Sequence, residues 1–349
     1  MKGDGPVRRR AGRIGLSAAL VALAVVSALP GTAATGGTAS RAGAARSAGT
    51  PAGSPVGTAH AIVAGTRAAT VAKSVPTLAG CPLFPANNAW RKDISRAHVN
   101  PHSAAWVRSV GLTGHLHADF GSNPSYGIPY SVVPAAQPKV KVTFTAYGDE
   151  SDRGPYPIPA KARIEAGSDR HVLVASRNCH LYELYGARRS GNGWRAASGA
   201  VFDLRSNKLR PAGWTSADAA GLPILPGLVR PDEIRAGHID HALRFTVART
   251  QRGYIHPATH QAGSTNSMSA PPMGARFRLK ASFSLKGYHG AALIILRCLK
   301  KYGMFVADNG SNWFISGATY RGWNDDDLNQ LKQVPGSAFQ VVATGRIRH

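Results

Sequence analysis

Residues 194–246 hold the densest group of side chains suited to acid and base chemistry. Carboxylates, histidines and arginines lie close together there, although the chain of 349 residues has only 18 acidic ones. The central stretch, GWTSADAAGLPILPGLVR, is rich in Pro, Gly and small residues and predicts a long ordered loop, a kind of loop that often carries function. Ser216 can cap one turn that carries Asp218. We predict that Asp218 is a catalytic carboxylate; the alternative is that it only caps amides of its own loop.

A second candidate is Glu183, in the segment CHLYELYGA, which is typical of a strand. Glu183 shares one face of this strand with Leu181 and Tyr185. Burial among such neighbours would raise the pKa of Glu183 and suit it to donate a proton. The alternative is a structural ion pair with an arginine such as Arg170 or Arg244.

His241 and Asp240 lie in GHIDHALRFT, which continues into a clear strand. His241 shares a face with apolar Leu243 and Phe245, and this alternation predicts that it is buried, whereas Asp240 lies on the other face. Histidine near a carboxylate is the usual composition for general acid and base catalysis near neutral pH. We include both residues in the predicted catalytic group; the alternative for His241 is a hydrogen-bonded core position.

The segment GHLHADFGS offers the one candidate metal site. His115, His117 and Asp119 alternate, so that all three would face the same way on an extended strand. Two imidazoles and a carboxylate suit zinc or another divalent ion with an open position for water. Since no distant fourth ligand can be named, we predict no cofactor, with a divalent metal at these residues as the open alternative. Otherwise the three are hydrogen-bonding residues of a loop.

Sequence motifs for nucleophilic catalysis, phosphate binding and dinucleotide binding are absent. Trp214, Tyr185 and Arg230 are predicted to hold a sugar chain. We therefore predict a glycoside hydrolase or a polysaccharide lyase that acts on an extracellular polysaccharide. A hydrolase would use two carboxylates, whereas a lyase would use His or Tyr beside an arginine that neutralises a uronate. The alternative is a non-catalytic protein that binds glycans or the cell wall.

The elements that must position these residues are mostly strands. Short runs rich in β-branched or aromatic residues, bounded by Gly, Pro, Asn or Asp, predict nine of them. These are residues 139–147, 171–176, 179–187, 199–204, 242–250, 276–285, 304–307, 313–316 and 339–343. Helices are predicted at residues 290–302 and after the cap Asn324. The expected fold is mostly β, a single domain resembling a β-sandwich or jelly roll with a few peripheral helices.

The amino-terminal part of the chain has the pattern of an export signal. Basic residues up to Arg13 precede an apolar run at residues 14–29 and a stretch of small residues. This run is shorter than the roughly 20 residues of a membrane-spanning helix. We predict a signal peptide at residues 1–34, a disordered linker at 35–77 and a β-rich domain at 78–349. The mature protein is expected to be secreted, monomeric and free of the membrane.

Three cysteines in an exported protein allow one disulfide. Cys298 falls on the apolar stripe of a predicted helix, which favours a buried free thiol. Cys81 and Cys179 are therefore the predicted pair.

The net charge of +24 raises the question of nucleic-acid binding. The positive charges are spread through the chain rather than gathered on one helix, and no nucleic-acid motif is present. We predict no specific nucleic-acid partner. We expect salt-sensitive attraction to anionic extracellular polymers, including cell-wall polymers and acidic polysaccharides.

Several long strings place the chain beside other exported proteins: CPLFPANNAW, SGAVFDLRSN, LRPAGWTSADAAGLPILPGLVR, HALRFT, PPMGARFRLK and KYGMFVADNGSNWFISG. Over residues 81–344 the chain resembles a largely uncharacterised group of secreted bacterial single-domain proteins. The resemblance implies one exported domain, and it implies no particular activity or catalytic residue.

Overall fold

The computed structural model describes residues 76–349, all within one compact unit. The predicted signal peptide and all but the last residues of the predicted linker lie outside the described residues. None of the helices in residues 76–349 has the length and hydropathy of a membrane span.

Strands dominate the described part of the chain. Its fifteen strands are β1 (Thr77–Leu78), β2 (Cys81–Pro82), β3 (His117–Ala118), β4 (Tyr130–Val133), β5 (Val142–Phe144), β6 (Val172–Ser176), β7 (His180–Tyr185), β8 (Arg188–Ser190), β9 (Gly193–Ala196), β10 (Ser198–Asp203), β11 (Leu243–Val247), β12 (Arg276–Leu279), β13 (Met304–Asn309), β14 (Phe314–Ile315) and β15 (Phe339–Val342). Each of the nine predicted segments overlaps one of these strands, so the prediction of a mostly β protein is confirmed.

The strands form four sheets. The large sheet has six strands in the order β15-β12-β13-β11-β14-β3. The middle sheet has the order β10-β7-β6-β4, the small sheet has the order β5-β9-β8, and β1 pairs with β2. Strands β11 and β13 run parallel, as do β14 and β3, whereas β11 and β14 run antiparallel. The carboxyl ends of β13 and β3 therefore point toward opposite ends of the large sheet.

Four α-helices accompany the sheets in residues 76–349. They are α1 (Ser103–Val110), α2 (Pro231–Ala236), α3 (Gly290–Lys301) and α4 (Asp325–Asn329). Helices α3 and α4 confirm the two predictions, and the side chain of Asn324 accepts hydrogen bonds from the backbone N–H groups of Asp326 and Asp327 at 3.0 and 3.2 Å. Helices α1 and α2 were not predicted, since α1 has eight residues and α2 only six.

The main core lies against the large sheet. Fully buried Trp313 packs on Phe245, Phe277 and Phe339, with ring centroids 6.0, 5.7 and 5.0 Å away. The middle sheet is buried on both faces. Leu181 on β7 joins the main core, whereas its neighbour Tyr182 packs into a second apolar cluster shared with the small sheet. Because alternate residues of a strand face opposite ways, Glu183 faces the main core with Leu181.

The disulfide between Cys81 and Cys179 is present, as predicted. It joins β2 to the residue that precedes β7, across a sequence separation of 98 residues. Cys298 is a buried free thiol, also as predicted, and donates a hydrogen bond to the carbonyl oxygen of His241 at 3.1 Å.

Candidate active site

Asp218 forms a buried ion pair with Arg244. The Nε and Nη2 atoms of Arg244 donate to the two carboxylate oxygens of Asp218 at 3.1 and 3.0 Å, and Nη1 donates to the Oγ atom of Ser316 at 2.6 Å. Asp218 is 0% exposed and Arg244 is 4% exposed. Bidentate pairing of this kind fixes both groups in orientation. Arg244 therefore presents a fixed positive charge beneath the loop that carries Asp218.

The loop around Asp218 is held by its own backbone. The N–H of Asp218 donates to the Oγ atom of Ser216 at 2.9 Å, which is the predicted cap. The N–H of Ala220 donates to the carbonyl oxygen of Ala307 on β13 at 3.0 Å. Gly221 has a φ of +72°, and a Cβ atom there would lie 2.2 Å from the Oγ1 atom of Thr259, so only glycine fits this close approach.

Glu183 is buried and serves as a hydrogen-bond acceptor for backbone amides. Its carboxylate accepts the N–H groups of Ile224 and Leu225 at 2.8 and 2.9 Å. Burial raises the pKa of Glu183 to about 7, and the nearby charge of Asp218 acts in the same direction. The ion pair with an arginine, which the sequence offered as the alternative for Glu183, is therefore found at Asp218. The contact with backbone amides, which the sequence offered as the alternative for Asp218, is found at Glu183.

His241 lies in a different buried cluster. Its Nε2 atom is 2.7 Å from the Oε1 atom of Glu233, and its Nδ1 atom is 2.8 Å from the carbonyl oxygen of Ala242. The Nη2 atom of Arg230 also donates to Glu233 at 2.8 Å. His241 and Arg230 are each 1% exposed. In residues 76–349, no hydrogen bond or ion pair joins this cluster to Asp218.

The remaining residues predicted for the site are more accessible. The carboxylate of Asp240, 18% exposed, accepts from the hydroxyl of Tyr302 at 3.1 Å and lies 3.4 Å from the Nε2 atom of His238. Trp214 is half-buried, with the guanidinium of Arg210 5.6 Å from its ring centroid. Tyr185 is also half-buried. Burial raises the pKa of Tyr185, and the charges of Asp169 and Asp308 act in the same direction.

Asp308 is a carboxylate at the edge of the large sheet that the sequence did not single out. It lies near the end of β13, and its Oδ2 atom is 3.9 Å from the Nη2 atom of Arg244. Its side chain is 27% exposed, so solvent reaches it. Burial raises the pKa of Asp308 to about 7, the charge of Asp218 raises it further, and the charge of Arg244 opposes them.

Asp119 is a second accessible carboxylate near Arg244. It follows β3, and its N–H donates to the carbonyl oxygen of Ile315 at 2.9 Å. Partial burial raises the pKa of Asp119; Arg244 acts to lower it, and the charges of Glu165 and Asp169 act to raise it. The charge of Arg244 thus acts to lower the pKa of both Asp119 and Asp308, which lie at the ends of different strands.

His171 and Glu165 complete the group. The Nδ1 atom of His171 is 2.6 Å from the Oε2 atom of Glu165, and its Nε2 atom is 3.1 Å from the carbonyl oxygen of Ala217. Burial acts to lower the pKa of His171, but the hydrogen bond and charge of Glu165 raise it overall. The ring of His171 packs 5.8 Å from that of Tyr185. We call Asp119, Glu165, His171 and Asp308, gathered around the guanidinium, the Arg244 cluster.

An aromatic surface lies beside Asp119. The rings of His117 on β3 and Phe314 on β14 are stacked, with centroids 4.2 Å apart and an interplanar angle of 26°. Both side chains are half-buried. Burial lowers the pKa of His117, as does the charge of Lys332, and both favour the neutral imidazole. We call this pair the His117–Phe314 platform.

The predicted metal ligands do face one way. His115 and Asp119 are exposed and His117 is half-buried, while Leu116 and Phe120 between and after them are buried. In residues 76–349, no three or more His, Cys, Asp or Glu side chains are arranged to hold a metal ion. The imidazole of His117 is stacked on an aromatic ring instead.

No model of a protein family matches the chain, and no curated protein or solved structure matches it.

Proposed function

We propose that the protein is a secreted glycoside hydrolase that cleaves an extracellular polysaccharide, with Asp308 as general acid and Asp119 as general base. The proposal rests on one observation: two solvent-accessible carboxylates with raised pKa values lie around the fixed guanidinium of Arg244. Hydrolysis of a glycosidic bond needs such a pair of carboxyl groups at one place.

The different environments of the two carboxyl groups support this assignment of roles. A pKa of about 7 keeps much of Asp308 protonated near neutral pH, as a general acid must be. Asp308 would protonate the glycosidic oxygen as its bond to the anomeric carbon breaks. Asp119, which is more exposed, would take a proton from the water that attacks that carbon. Buried Asp218 supports the reaction by holding Arg244 in place.

Arg244 favours hydrolysis over elimination. A lyase needs a free arginine or similar group that binds and neutralises the uronate carboxylate. Arg244 is 4% exposed, and three of its five N–H donors are used by Asp218 and Ser316. Its burial and its pairing with Asp218 make it a poor ligand for a substrate carboxylate, although its charge acts on Asp308 and Asp119.

The His117–Phe314 platform favours a sugar as the substrate. Flat aromatic surfaces beside polar groups are a usual feature of small-molecule and sugar sites, because the rings cover apolar faces while polar groups fix orientation. Tyr185 offers a further half-buried aromatic ring on the opposite, middle sheet. We also infer that the middle and large sheets pack as a β-sandwich. The disulfide is compatible with an extracellular protein.

The test is to incubate the full chain with a panel of plant, fungal and bacterial polysaccharides. New reducing ends would report hydrolysis, and ultraviolet absorbance of unsaturated ends would report elimination. We expect reducing ends, and a loss of about 100- to 10,000-fold in kcat in both Asp308→Asn and Asp119→Asn. Asp203→Asn, at an exposed surface pair, is the matched control and should keep full activity. Full activity in both cluster variants would refute the assignment.

A non-catalytic glycan-binding protein is the second candidate. The observation in its favour is that Glu183, Asp218 and His241, chosen from the sequence as catalytic, do not meet in one open cleft. This function predicts no cleavage of any polymer in the panel. It also predicts retention of the chain on one of them, which Phe314→Ala should weaken by removing the platform.

A further inference from the structure

The outward face of the small sheet carries an unusual concentration of positive charge. The register pairs Arg188 on β8 directly with Arg195 on β9, and Arg195 in turn with Thr143 on β5. Arg188, Arg195 and Thr143 are all exposed. The next row on the same face contains Lys141, which is also exposed and whose carbonyl oxygen accepts the N–H of Trp194 at 2.9 Å. We call the exposed cations Lys141, Arg188 and Arg195 the basic face.

The opposite face of this sheet is closed. Val142 and Trp194 are buried in the second apolar cluster, and the guanidinium of Arg189 lies 4.8 Å from the ring centroid of Trp194. Alternation along the strands therefore requires the basic face to point to solvent. Gly193 keeps it flat, since a Cβ atom there would lie 2.6 Å from the carbonyl oxygen of Lys141.

The basic face is not neutralised within the domain. In residues 76–349, no ion pair joins Lys141, Arg188 or Arg195 to a carboxylate. Like charges directly opposite each other on paired strands destabilise a sheet, since their Cβ atoms are about 5 Å apart. An anionic partner would remove this repulsion, so the arrangement favours a bound polyanion.

We propose that the basic face binds a linear polysaccharide that carries carboxylates. The face would hold one stretch of this polymer while another stretch of it reaches the Arg244 cluster. Guanidinium groups match carboxylates in a bidentate geometry, and an exposed flat sheet accepts an extended chain. The choice of a sugar polymer rests on the proposed function, whereas the negative charge of the partner does not.

The geometry of the face argues against a nucleic acid. Proteins that bind single strands interleave cations with aromatic rings on which bases stack. The two aromatic rings of these strands, Phe144 and Trp194, pack with the apolar cluster on the other face, and Trp194 is 4% exposed and covered by Arg189. A flat face without a projecting helix also lacks the element that most often enters the major groove of DNA.

The test measures binding rather than cleavage. The full chain is titrated with unesterified polygalacturonate and with its fully methyl-esterified, uncharged form over a series of salt concentrations. We expect binding to the first alone. Arg188→Gln/Arg195→Gln should weaken it at least tenfold and lower the slope of log affinity against log salt by about 2, one for each lost contact.

The matched control is Arg108→Gln/Arg297→Gln, which removes the same charge from two exposed helical positions. It should retain more than half of the affinity. Equal losses in the two double variants would overturn the proposal, since the attraction would then be diffuse. Equal binding of the esterified polymer, or tighter binding of DNA or polyphosphate through the same two arginines, would also overturn it.

Failure of the proposed hydrolase function gives a different result. In that case no polymer is cleaved, and Asp308→Asn binds polygalacturonate as well as the unaltered chain does. Thermal unfolding of each variant confirms that a weakened affinity does not reflect a loss of fold.

Discussion

The Nη2 atom of Arg244 approaches the Oδ2 atom of Asp308 to 3.9 Å, beyond the length of a hydrogen bond. Three of the five N–H donors of Arg244 are used by Asp218 and Ser316. The positive charge of Arg244 therefore acts on Asp308 without a hydrogen bond that fixes its carboxylate, and burial still raises the pKa of Asp308 to about 7. Asp218 orients the guanidinium, whereas Asp308 stays partly protonated near neutral pH.

Removal of the Asp218 charge should destabilise the fold. Asp218→Asn keeps the shape of the side chain but leaves the buried guanidinium of Arg244 without the carboxylate that binds it in a bidentate pair. Removing one partner of a buried pair costs about 3 to 5 kcal/mol. We expect a loss of this size in the free energy of unfolding, measured by urea denaturation. Asp203→Asn, whose pair with Arg205 is exposed, should lose less than about 1 kcal/mol; equal losses would contradict the structural role of Asp218.

Glu183 should make stability fall as pH rises. Burial raises its folded-state pKa to about 7, above its ordinary value of 4.5 in the unfolded chain. The folded state therefore holds the proton more tightly, and this stabilising contribution is complete below the ordinary value and lost as pH rises through about 7. We expect the free energy of unfolding of the unaltered chain, minus that of Glu183→Gln, to fall across this range.

Asp325 provides a control of opposite sign for that experiment. Hydrogen bonds from the side chain and backbone of Ser122 lower the pKa of Asp325. The stabilising contribution of Asp325 is present above its ordinary pKa and is lost as pH falls through its lowered pKa in the folded state. The difference between the unaltered chain and Asp325→Asn should therefore rise with pH in the acid range. Parallel curves for Glu183→Gln and the unaltered chain would contradict the burial of an ionisable group at Glu183.

The strands were predictable because their signals are local. Each of the nine predicted segments alternates or clusters β-branched and aromatic residues between turn residues, and each overlaps a strand. Strands β3 and β14 are only two residues long, so their pairing depends on the large sheet and not on their own sequence. Helix α2 is likewise too short for a helical period to be visible.

The site was predictable only in part, because its partners are distant in sequence. The Ser216 cap of Asp218 was found, since the two residues are close together. Arg244 was considered as a partner for Glu183, but it pairs with Asp218 across 26 positions, and Glu183 reaches Ile224 across 41. The sequence gives one indication of Asp308, which is an acidic residue at the point where a strand ends before NGSNW. Ordinary turns have the same composition, so this indication does not distinguish a site from a turn.

The disulfide should contribute strongly to stability. Cys81 and Cys179 close a loop with a sequence separation of 98, which restricts the unfolded chain. We expect Cys81→Ser/Cys179→Ser to lose about 2 to 5 kcal/mol of unfolding free energy in denaturant titrations. Reductant should shift the unaltered chain to the midpoint of the variant and leave the variant unchanged, since Cys298 is already a free thiol. A midpoint of the unaltered chain that does not change in reductant would contradict this contribution of the disulfide.

The dependence of kcat on pH should follow the titration of Asp308. A general acid acts while protonated, so kcat should fall as pH rises through the Asp308 pKa of about 7. Asp308→Asn should lack this limb in its residual activity. The variant should also recover most of its loss on a synthetic glycoside with a dinitrophenolate leaving group, because such a group departs without protonation. Asp119→Asn should show no such recovery, since the attacking water still needs a base. Recovery in Asp119→Asn alone would reverse the two assignments, because the leaving group would then depend on Asp119.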